Sequence, residues 1–310
     1  MTSRGAIRLK MEEFNRAIRN VKMYEFPNLH LEVTANCCAS CVFCGYRYIK
    51  RKKGEMSRKL ISKILDELAE WEKPMKEIVP AHYGEFFLRK DWFDILKEIE
   101  EKLPNTSIAI PTNGYPLEID DAAKLAQIST LKYLSFSVYA FFDETYERLI
   151  GLPAENMKKI RKLIHALSPL RYDLEIAVGT TNTSPFMTEY ENSLFNERWE
   201  PLARTHSIMA NKQINPELQK TFPYPISCFT IFGSMAILWD GKAVACCFDP
   251  NGELEVGDVC KEKVLDIWNG ERMKELQRKH VEGLRDEIEL CKSCTFGGKF
   301  VGEVNGRTKN

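Results

Sequence analysis

Residues 29–44 read LHLEVTANCCASCVFC and combine a strand pattern with a metal-ligand pattern. Leu29, Leu31 and Val33 alternate with polar neighbours, which is typical of a half-buried β-strand. Three cysteines then follow at the carboxyl end of that strand with the spacing C-x3-C-x2-C: Cys37, Cys41 and Cys44. Three thiolates can hold one face of a cubane iron–sulfur cluster and leave its fourth iron without a protein ligand. An open position of this kind indicates a catalytic metal site.

Two structural alternatives compete with this interpretation of the three cysteines, named here the first cysteine set. One is a zinc site completed by Cys38 or His30, and the other is a group of ordinary core cysteines. The ten cysteines lie four near the start and six near the end of a 310-residue chain. Such clustering, without an export signal, indicates metal sites in a reducing compartment rather than a disulfide framework.

Between residues 28 and about 210, short β-like runs alternate with stretches of helical period. Strands are predicted at Leu29–Val33, Ile78–Val79, Ile108–Ile110, Tyr133–Val138, Leu174–Val178 and His206–Met209. Apolar helix faces are predicted within Leu60–Trp71, which Ser57 would cap, and within Trp92–Ile99, 120–128 and Met157–Leu167. Repeated β-then-α units imply a parallel sheet with right-handed crossovers, either an open barrel or a doubly wound sheet. Ligands of such sheets bind at the carboxyl ends of the strands.

The pattern changes after residue 211. Asn211–Ser227 carries three prolines and is predicted to be a linker. Ser234–Trp239 and Ala243–Cys246 flank Asp240-Gly241 and predict a β-hairpin. A single helix is predicted next, with apolar positions from Leu265 to Leu276. We therefore expect an N-terminal helical extension (1–26), a barrel (27–215) and a small C-terminal domain (216–310).

The overall composition excludes several classes of protein. Forty-four basic and 44 acidic side chains cancel, so no general attraction for nucleic acid is expected. The apolar runs of about five residues are far shorter than the roughly 20 that span a membrane. The N-terminus shows no secretory pattern. We expect a cytoplasmic protein with no nucleic-acid or membrane partner.

The first cysteine set, with Phe43 before its last cysteine, resembles the signature of the radical S-adenosylmethionine (SAM) superfamily. The resemblance implies an α/β fold, a partial (β/α)6 TIM-like barrel, with a four-iron cluster on this set. His82-Tyr83-Gly84-Glu85 resembles the family's G-G-E stretch, which holds the methionyl amino group, although Tyr83 replaces the first glycine. Further cofactor contacts are implied at the ends of the next three strands: Thr112, Asn113, Ser135, Ser137 and Val178. For the serines, ordinary strand-end hydrogen bonding is an equally good interpretation.

Four cysteines beyond residue 220 could complete the coordination of a second metal centre, either zinc or an iron–sulfur cluster. They form the second cysteine set: Cys228, Cys246, Cys291 and Cys294. The hairpin and the Ile267-Trp268-Asn269 helix around them resemble the SPASM domain in its single-cluster "twitch" form. In similar domains the cysteine two residues after the valine of the hairpin's return strand commonly serves as the ligand, which favours Cys246 over Cys247. Only one of the two can face the cluster, because adjacent strand residues point to opposite faces.

The resemblance implies two 4Fe–4S clusters, SAM as cofactor, and a 5′-deoxyadenosyl radical that removes hydrogen from the substrate. The compact layout is similar to that of an aminocyclitol dehydrogenase of this superfamily, so we expect oxidation of a small polar substrate. The alternatives are a radical epimerase, a maturase of a ribosomally made peptide, and a non-catalytic metal protein. An electron donor such as flavodoxin or ferredoxin is expected. For dehydrogenation Asp249 is the candidate base, whereas for epimerisation Cys260 is the candidate hydrogen donor.

Overall fold

The computed structural model describes residues 28–181, 187–208, 228, 230–292 and 294. In this part of the chain, nine strands form one sheet. They are β1 (Asn28–Leu31), β2 (Glu77–Val79), β3 (Ser107–Thr112), β4 (Leu131–Ser137), β5 (Glu175–Thr181), β6 (Arg204–Ile208), β7 (Ser234–Ile237), β8 (Lys242–Val244) and β9 (Glu255–Asp258). Their spatial order is β6-β5-β4-β3-β2-β1-β7-β8-β9.

The helices of the same residues follow the strands. They are α1 (Arg58–Ala69), α2 (Trp92–Lys102), α3 (Asp121–Leu125), α4 (Asp143–Ile150), α5 (Glu155–Leu167), α6 (Glu189–Trp199), α7 (Thr230–Gly233), α8 (Val264–Trp268), α9 (Glu271–Val281) and α10 (Glu289–Lys292). Short 3₁₀ turns lie at Gly45–Tyr48, Phe86–Leu88 and Arg285–Glu287.

Strands β1 to β6 run parallel, and each pairs with its neighbour in the chain, as the βα pattern predicts. The alternation along β4 shows how the sheet divides its two faces. Leu134 and Phe136 are fully buried on the helix-covered face, whereas Tyr133 and Ser137 are only partly buried on the other. The parallel α/β sheet agrees with the expected partial barrel, and it brings the carboxyl ends of six strands to one edge.

The local predictions hold for most elements. All six predicted strands are present, and the predicted Ser57 cap is confirmed because its hydroxyl accepts a hydrogen bond from the Leu60 N–H.

Helices α4 and α6 are not predicted from the sequence. In α6 the buried positions are Glu191, Phe195 and Trp199. Because Glu191 is charged, these positions do not show the apolar spacing from which a helix is predicted. Its carboxylate instead accepts hydrogen bonds from the backbone N–H groups of Phe141 and Phe142.

The hairpin β7–β8 is antiparallel as expected, but it is not separated from the barrel sheet. Strand β7 pairs in parallel with β1, with Asn28 opposite Ser234 and Leu31 opposite Ile237. The third strand β9, which the sequence does not predict, pairs with β8. Sequence pattern does not report the pairing of β1 with β7, since these two strands lie about two hundred residues apart.

The single helix expected over Leu265–Leu276 is wrong, because the structure contains two helices, α8 and α9. The break falls at Asn269 and Gly270, and Gly270 is the extended N-cap of α9. The predicted N-terminal helical extension and the predicted linker lie outside the described residues, so the proposed domain boundaries stay predictions. None of the described helices is long and apolar enough to cross a membrane.

Because β1 is paired on both sides, removing the C-terminal part exposes one of its edges. A fragment that ends at residue 215 should therefore leave one edge of β1 unpaired and should aggregate, since bare sheet edges promote association. Size-exclusion chromatography and thermal denaturation of the fragment and of the full chain measure this. A monomeric fragment with a cooperative unfolding transition would contradict the expectation.

Candidate functional site

The loop that carries the first cysteine set is anchored to α4. Backbone N–H groups of Ser40 and Val42 donate to the carbonyls of Ile150 and Leu149 at the end of that helix. Within the loop, the Tyr46 N–H donates to the Cys44 sulfur at 3.4 Å. The tyrosine hydroxyl also accepts from the Cys37 N–H at 3.1 Å. The three thiols are thus placed by backbone contacts, and they follow β1 at the carboxyl edge of the sheet.

The turn after β2, residues 82–85, is held directly against the start of this loop. The Glu85 N–H donates to the Asn36 carbonyl at 2.8 Å. Gly84 lies so close to Thr34 that a Cβ there would be 1.9 Å from the Thr34 carbonyl oxygen. Only glycine permits this approach. The glycine of the G-E pair therefore serves as the contact between the β1 and β2 loops.

The Glu85 carboxylate joins the ends of β2 and β3. It is 3% exposed and accepts hydrogen bonds from the Thr112 hydroxyl at 2.8 Å, the Asn113 N–H at 2.7 Å and the Phe87 N–H at 3.2 Å. Burial raises its pKa, an effect that these three donors oppose. The Asn113 side-chain amide in turn lies 3.4 Å from the Cys38 sulfur and 3.8 Å from that of Cys37. Glu85, Thr112 and Asn113 are therefore together beside the first cysteine set.

The ends of β4 and β5 supply a polar and an aromatic contact. Ser135 lies 3.5 Å from the Nε2 atom of His206 on β6, so a strand-end hydrogen bond is present. The Ser137 hydroxyl accepts from Tyr139, whose ring packs edge-on against Phe43 at 4.9 Å. Tyr139 and His206 are residues that the sequence analysis misses.

Val178 belongs to the other face of the sheet. It pairs in register with Phe136 and lies in the hydrophobic core. Its side chain is therefore a packing group, in contrast to the expected cofactor contact, and only its backbone faces the strand ends. The sequence prediction missed this because the strand period does not by itself identify which face is inside the barrel.

The second cysteine set lines one cleft. The residues of its wall are Cys228, Cys246, Phe248, Arg285, Leu290, Cys291 and Cys294. Cys247 is absent from this wall among the described residues, although its thiol interacts electrostatically with those of Cys228 and Cys294. The cleft thus has the four sulfurs that the sequence predicts, with Cys246 as the member of the adjacent pair that faces it.

Helix α9 and the following turn hold this cleft in place. The Cys228 N–H donates to the Nδ1 atom of His280 at 3.1 Å, and Gln277 donates to the Ile231 carbonyl. The buried Arg285 guanidinium donates to the backbone carbonyls of Cys291 and Cys294. A cation beside four sulfurs would offset the negative charge of a thiolate-ligated cluster. The sequence analysis does not identify Arg285.

The thiols of both sets fit iron–sulfur clusters. Burial raises the pKa of Cys41, Cys44 and Cys246, and it raises that of Cys291 to about 12. Such thiols form thiolates when a bound metal compensates the charge. Among the described residues, no three His, Cys, Asp or Glu side chains converge closely enough to hold a single ion. Sets of three and of four cysteines have the ligand numbers of an open and of a complete four-iron cluster.

A buried carboxylate, Glu32 on the segment after β1, connects the two halves of the site. It accepts from the Arg51 guanidinium at 2.5 Å, from the Trp239 N–H at 3.2 Å and from the Tyr83 N–H. Arg51 also donates to the Pro250 carbonyl at 2.7 Å. The loop after Cys246 is therefore attached to the loop after Cys44.

Asp249 is a structural residue and not the expected base. It is 0% exposed, and its carboxylate accepts from three backbone N–H groups of residues 252–254 at 2.7 to 3.0 Å. A carboxylate that closes its own loop in this way cannot approach a substrate. The sequence prediction was wrong because proximity to Cys246 in the chain does not show where the side chain points.

Cys260 is also far from the expected position. It is exposed, its sulfur lies 3.7 Å from the Asp240 carbonyl, and its neighbours include Leu60 and Lys63 on the outer helix α1. The structure does not bring it to either cysteine set.

Two histidines lie at the loop after β2, His30 beside it and His82 within it. His82 Nε2 lies 3.4 Å from the Asp249 carbonyl oxygen. The rings of His30 and His82 pack edge-on, with their centroids 6.4 Å apart. Burial lowers the pKa of His30 to about 4 and that of His82 to about 3. Both imidazoles are thus neutral near pH 7.

Comparison with known families identifies both parts of the site. Residues 31–185, half of the chain, match the model of the radical SAM superfamily. The chain belongs to the radical SAM superfamily. Residues 228–295 match the SPASM iron–sulfur cluster-binding domain. This radical SAM enzyme therefore binds a 4Fe–4S cluster and SAM in its barrel, and it binds further iron–sulfur in its C-terminal part.

One curated relative and two solved structures illustrate the range of similar proteins. The SAM-dependent 2-deoxy-scyllo-inosamine dehydrogenase of Niallia circulans is 22% identical over 274 residues, covering 87% of this chain and 92% of that protein. The structure of BtrN with AdoMet and 2-DOIA superposes with a TM-score of 0.57 at 18% identity, covering 87% and 93% of the two chains. Streptococcus suis SuiB bound to the precursor peptide SuiA gives 0.59 at 13% identity, covering 86% and 69%. The structural similarities show a shared fold.

Substitution of Gly84 tests the contact between the two loops. Gly84→Ala places a methyl group against the Thr34 carbonyl, so we expect a loss of about 1–3 kcal/mol in unfolding free energy. We also expect reduced iron at the first cysteine set, measured by iron analysis after anaerobic reconstitution. Gly283→Ala is the matched control, because its φ of +78° imposes backbone strain while no atom of the described residues lies within 4 Å of a Cβ placed there. Equal iron contents in the two variants would contradict this role.

Proposed function

We propose that this radical SAM enzyme is a dehydrogenase that oxidises a small polar substrate, such as a sugar or aminocyclitol, from alcohol to ketone. The observation that carries the proposal is the cleft of four cysteines joined through Glu32 and Arg51 to the first cysteine set. A second cluster in that cleft provides a place for the electron that oxidation releases. The similarity to an aminocyclitol dehydrogenase over most of both chains supports the same reaction class.

The proposed ligands are the first cysteine set for the barrel cluster and the second cysteine set for one auxiliary cluster. When bound, the barrel cluster and SAM supply a 5′-deoxyadenosyl radical that removes a hydrogen atom from the substrate carbon. Glu85, Thr112 and Asn113 form the polar edge where the cofactor would bind, and Phe43 forms its aromatic wall. The electron for SAM cleavage would come from a donor such as flavodoxin or ferredoxin.

Oxidation of the substrate requires two hydrogens to leave. The first leaves as an atom, and the second leaves as a proton together with one electron. The electron goes to the auxiliary cluster, so the substrate is oxidised and that cluster is reduced. The buried carboxylate of Asp249 is unsuitable as the acceptor of the proton, because it accepts three backbone hydrogen bonds within its own loop. We therefore propose that the proton leaves to water.

Epimerisation is less well supported than oxidation. An epimerase returns a hydrogen atom to the substrate carbon, and Cys260 was the candidate thiol. Since Cys260 is exposed beside the outer helix α1, it is not placed to reach a carbon between the two cysteine sets.

The cluster count tests the ligand assignment. Reconstituted wild-type enzyme should contain about eight irons and eight sulfides per chain, as two four-iron clusters require. Cys246→Ala should lose about half of this iron, whereas the matched variant Cys247→Ala should keep it. An iron content near four in the wild type, with bound zinc, would contradict the auxiliary cluster and leave the barrel cluster intact.

Incubation with SAM, dithionite and 2-deoxy-scyllo-inosamine tests the reaction. We expect 5′-deoxyadenosine and a product that has lost two hydrogens, both measured by liquid chromatography and mass spectrometry. A product of unchanged mass and altered configuration would instead show epimerisation. Formation of 5′-deoxyadenosine without turnover of any aminocyclitol or sugar tested would contradict the substrate class, and a peptide would be examined next.

A further inference from the structure

Tyr83 is fixed between the two cysteine sets by contacts on both sides. On one side, the neighbouring residues Gly84 and Glu85 contact the segment that leads into Cys37. On the other side, the preceding His82 contacts the Asp249 carbonyl in the loop that follows Cys246. Its own backbone N–H donates to the Glu32 carboxylate. The tyrosine side chain is thus held at the junction of the two halves of the site.

The Tyr83 hydroxyl is buried without a partner in the described part of the chain. The residue is 9% exposed, and its oxygen has no hydrogen bond to any described group. Other buried tyrosines nearby are satisfied: Tyr139 donates to Ser137, and the Tyr146 hydroxyl accepts from the Asn156 amide. Leaving a buried hydroxyl unpaired costs about 1–3 kcal/mol. Buried polar groups in proteins almost always have a partner, so a partner outside the polypeptide is indicated.

The charged groups that influence this side chain are sulfurs of both cysteine sets and the Asp249 carboxylate, whose oxygens already accept three backbone N–H groups. Tyr83 interacts electrostatically with Cys44 of the first set, and less strongly with Cys247 and Cys246 on the other side. Burial, followed by the charge of Cys44, raises the pKa of Tyr83 well above its usual value. The hydroxyl therefore stays protonated and acts as a donor.

We propose that the Tyr83 hydroxyl donates a hydrogen bond to a sulfur of the cluster held by Cys37, Cys41 and Cys44. The inference rests on the ligand assignment under the proposed function. Hydrogen bonds to cluster sulfurs stabilise the more negative, reduced state and raise the reduction potential. Glycine, which the G-G-E pattern has at this position, offers no side-chain donor. Tyr83 thus sets the reduction potential of the barrel cluster in this chain through a direct hydrogen bond.

The Tyr83→Phe variant removes the hydroxyl and keeps the ring. We expect the ratio of reduced to oxidised barrel cluster at a fixed potential to fall about tenfold, which is a shift of about 59 mV to more negative potential for a one-electron couple. A redox titration followed by electron paramagnetic resonance measures it. Iron content should stay at the wild-type value. The matched control is Tyr139→Phe, which removes a hydroxyl near Cys41 and Cys44 that already donates to Ser137. Its potential should not change.

Three results would overturn the proposal. One is an unchanged barrel-cluster potential in fully loaded Tyr83→Phe, and another is an equal shift in Tyr139→Phe. The third is a shift confined to the auxiliary cluster, whose signal is identified in a variant with Cys37, Cys41 and Cys44 all changed to alanine. If Tyr83→Phe loads iron poorly, the comparison is made between Tyr83→Gln and Tyr83→Met. These side chains have similar size and differ in the donor, so equal potentials would also overturn it. Low iron in the wild type would instead contradict the ligand assignment.

Discussion

The arrangement of the site depends on one buried carboxylate, that of Glu32. It lies directly after β1, the strand paired with β2 on one side and with β7 on the other. Its oxygens accept from Arg51, Trp239 and Tyr83, which lie on the loop after Cys44, the hairpin turn and the loop after β2. A buried charge is tolerated only when it is paired and hydrogen-bonded. Burial raises the pKa of Glu32, and the hydrogen bond and charge of Arg51 oppose that shift. Arg51 therefore stabilises the charged carboxylate, as do the N–H groups of Trp239 and Tyr83, and the three segments are held together through it.

Much of the barrel can be predicted from the sequence because its signals are local. Alternation predicts the strands, a serine marks the start of α1, and the spacing of Cys37, Cys41 and Cys44 predicts the first metal site. The pairing of β7 with β1 depends on contacts between distant segments, which periodicity does not report, and the four-residue strand β9 is too short to show a period. Asp249 and Cys260 were misplaced for a related reason. Each is close to a ligand or a hairpin in sequence, but the direction of the side chain is decided by tertiary packing.

The two cysteine sets share a backbone donor to sulfur and differ in the group beside it. At the first set, the Tyr46 N–H donates to Cys44, and the neutral Asn113 amide lies beside the neighbouring sulfurs. At the second set, the Phe248 N–H donates to Cys246, and a buried guanidinium also stands in the wall of the cleft. Four thiolates carry more negative charge than three, so a full positive charge is a physically reasonable addition where the ligand set is complete. The cluster with an open iron has fewer thiolates to balance and relies on neutral dipoles.

In the turn at residues 82–85, contacts with the barrel restrict the side chains at positions 84 and 85 and leave the side chain at position 83 free to vary. Gly84 cannot carry a side chain because the Thr34 carbonyl occupies that space, and Glu85 is committed to three hydrogen bonds within the barrel. Tyr83, one residue earlier, donates its backbone N–H to Glu32, while its side chain interacts electrostatically with sulfurs of both cysteine sets. A change at that position alters the surroundings of the metal centres without disturbing the contact that places them. The departure of this chain from the family's G-G-E pattern therefore falls at the one position of the motif where the fold allows chemistry to vary.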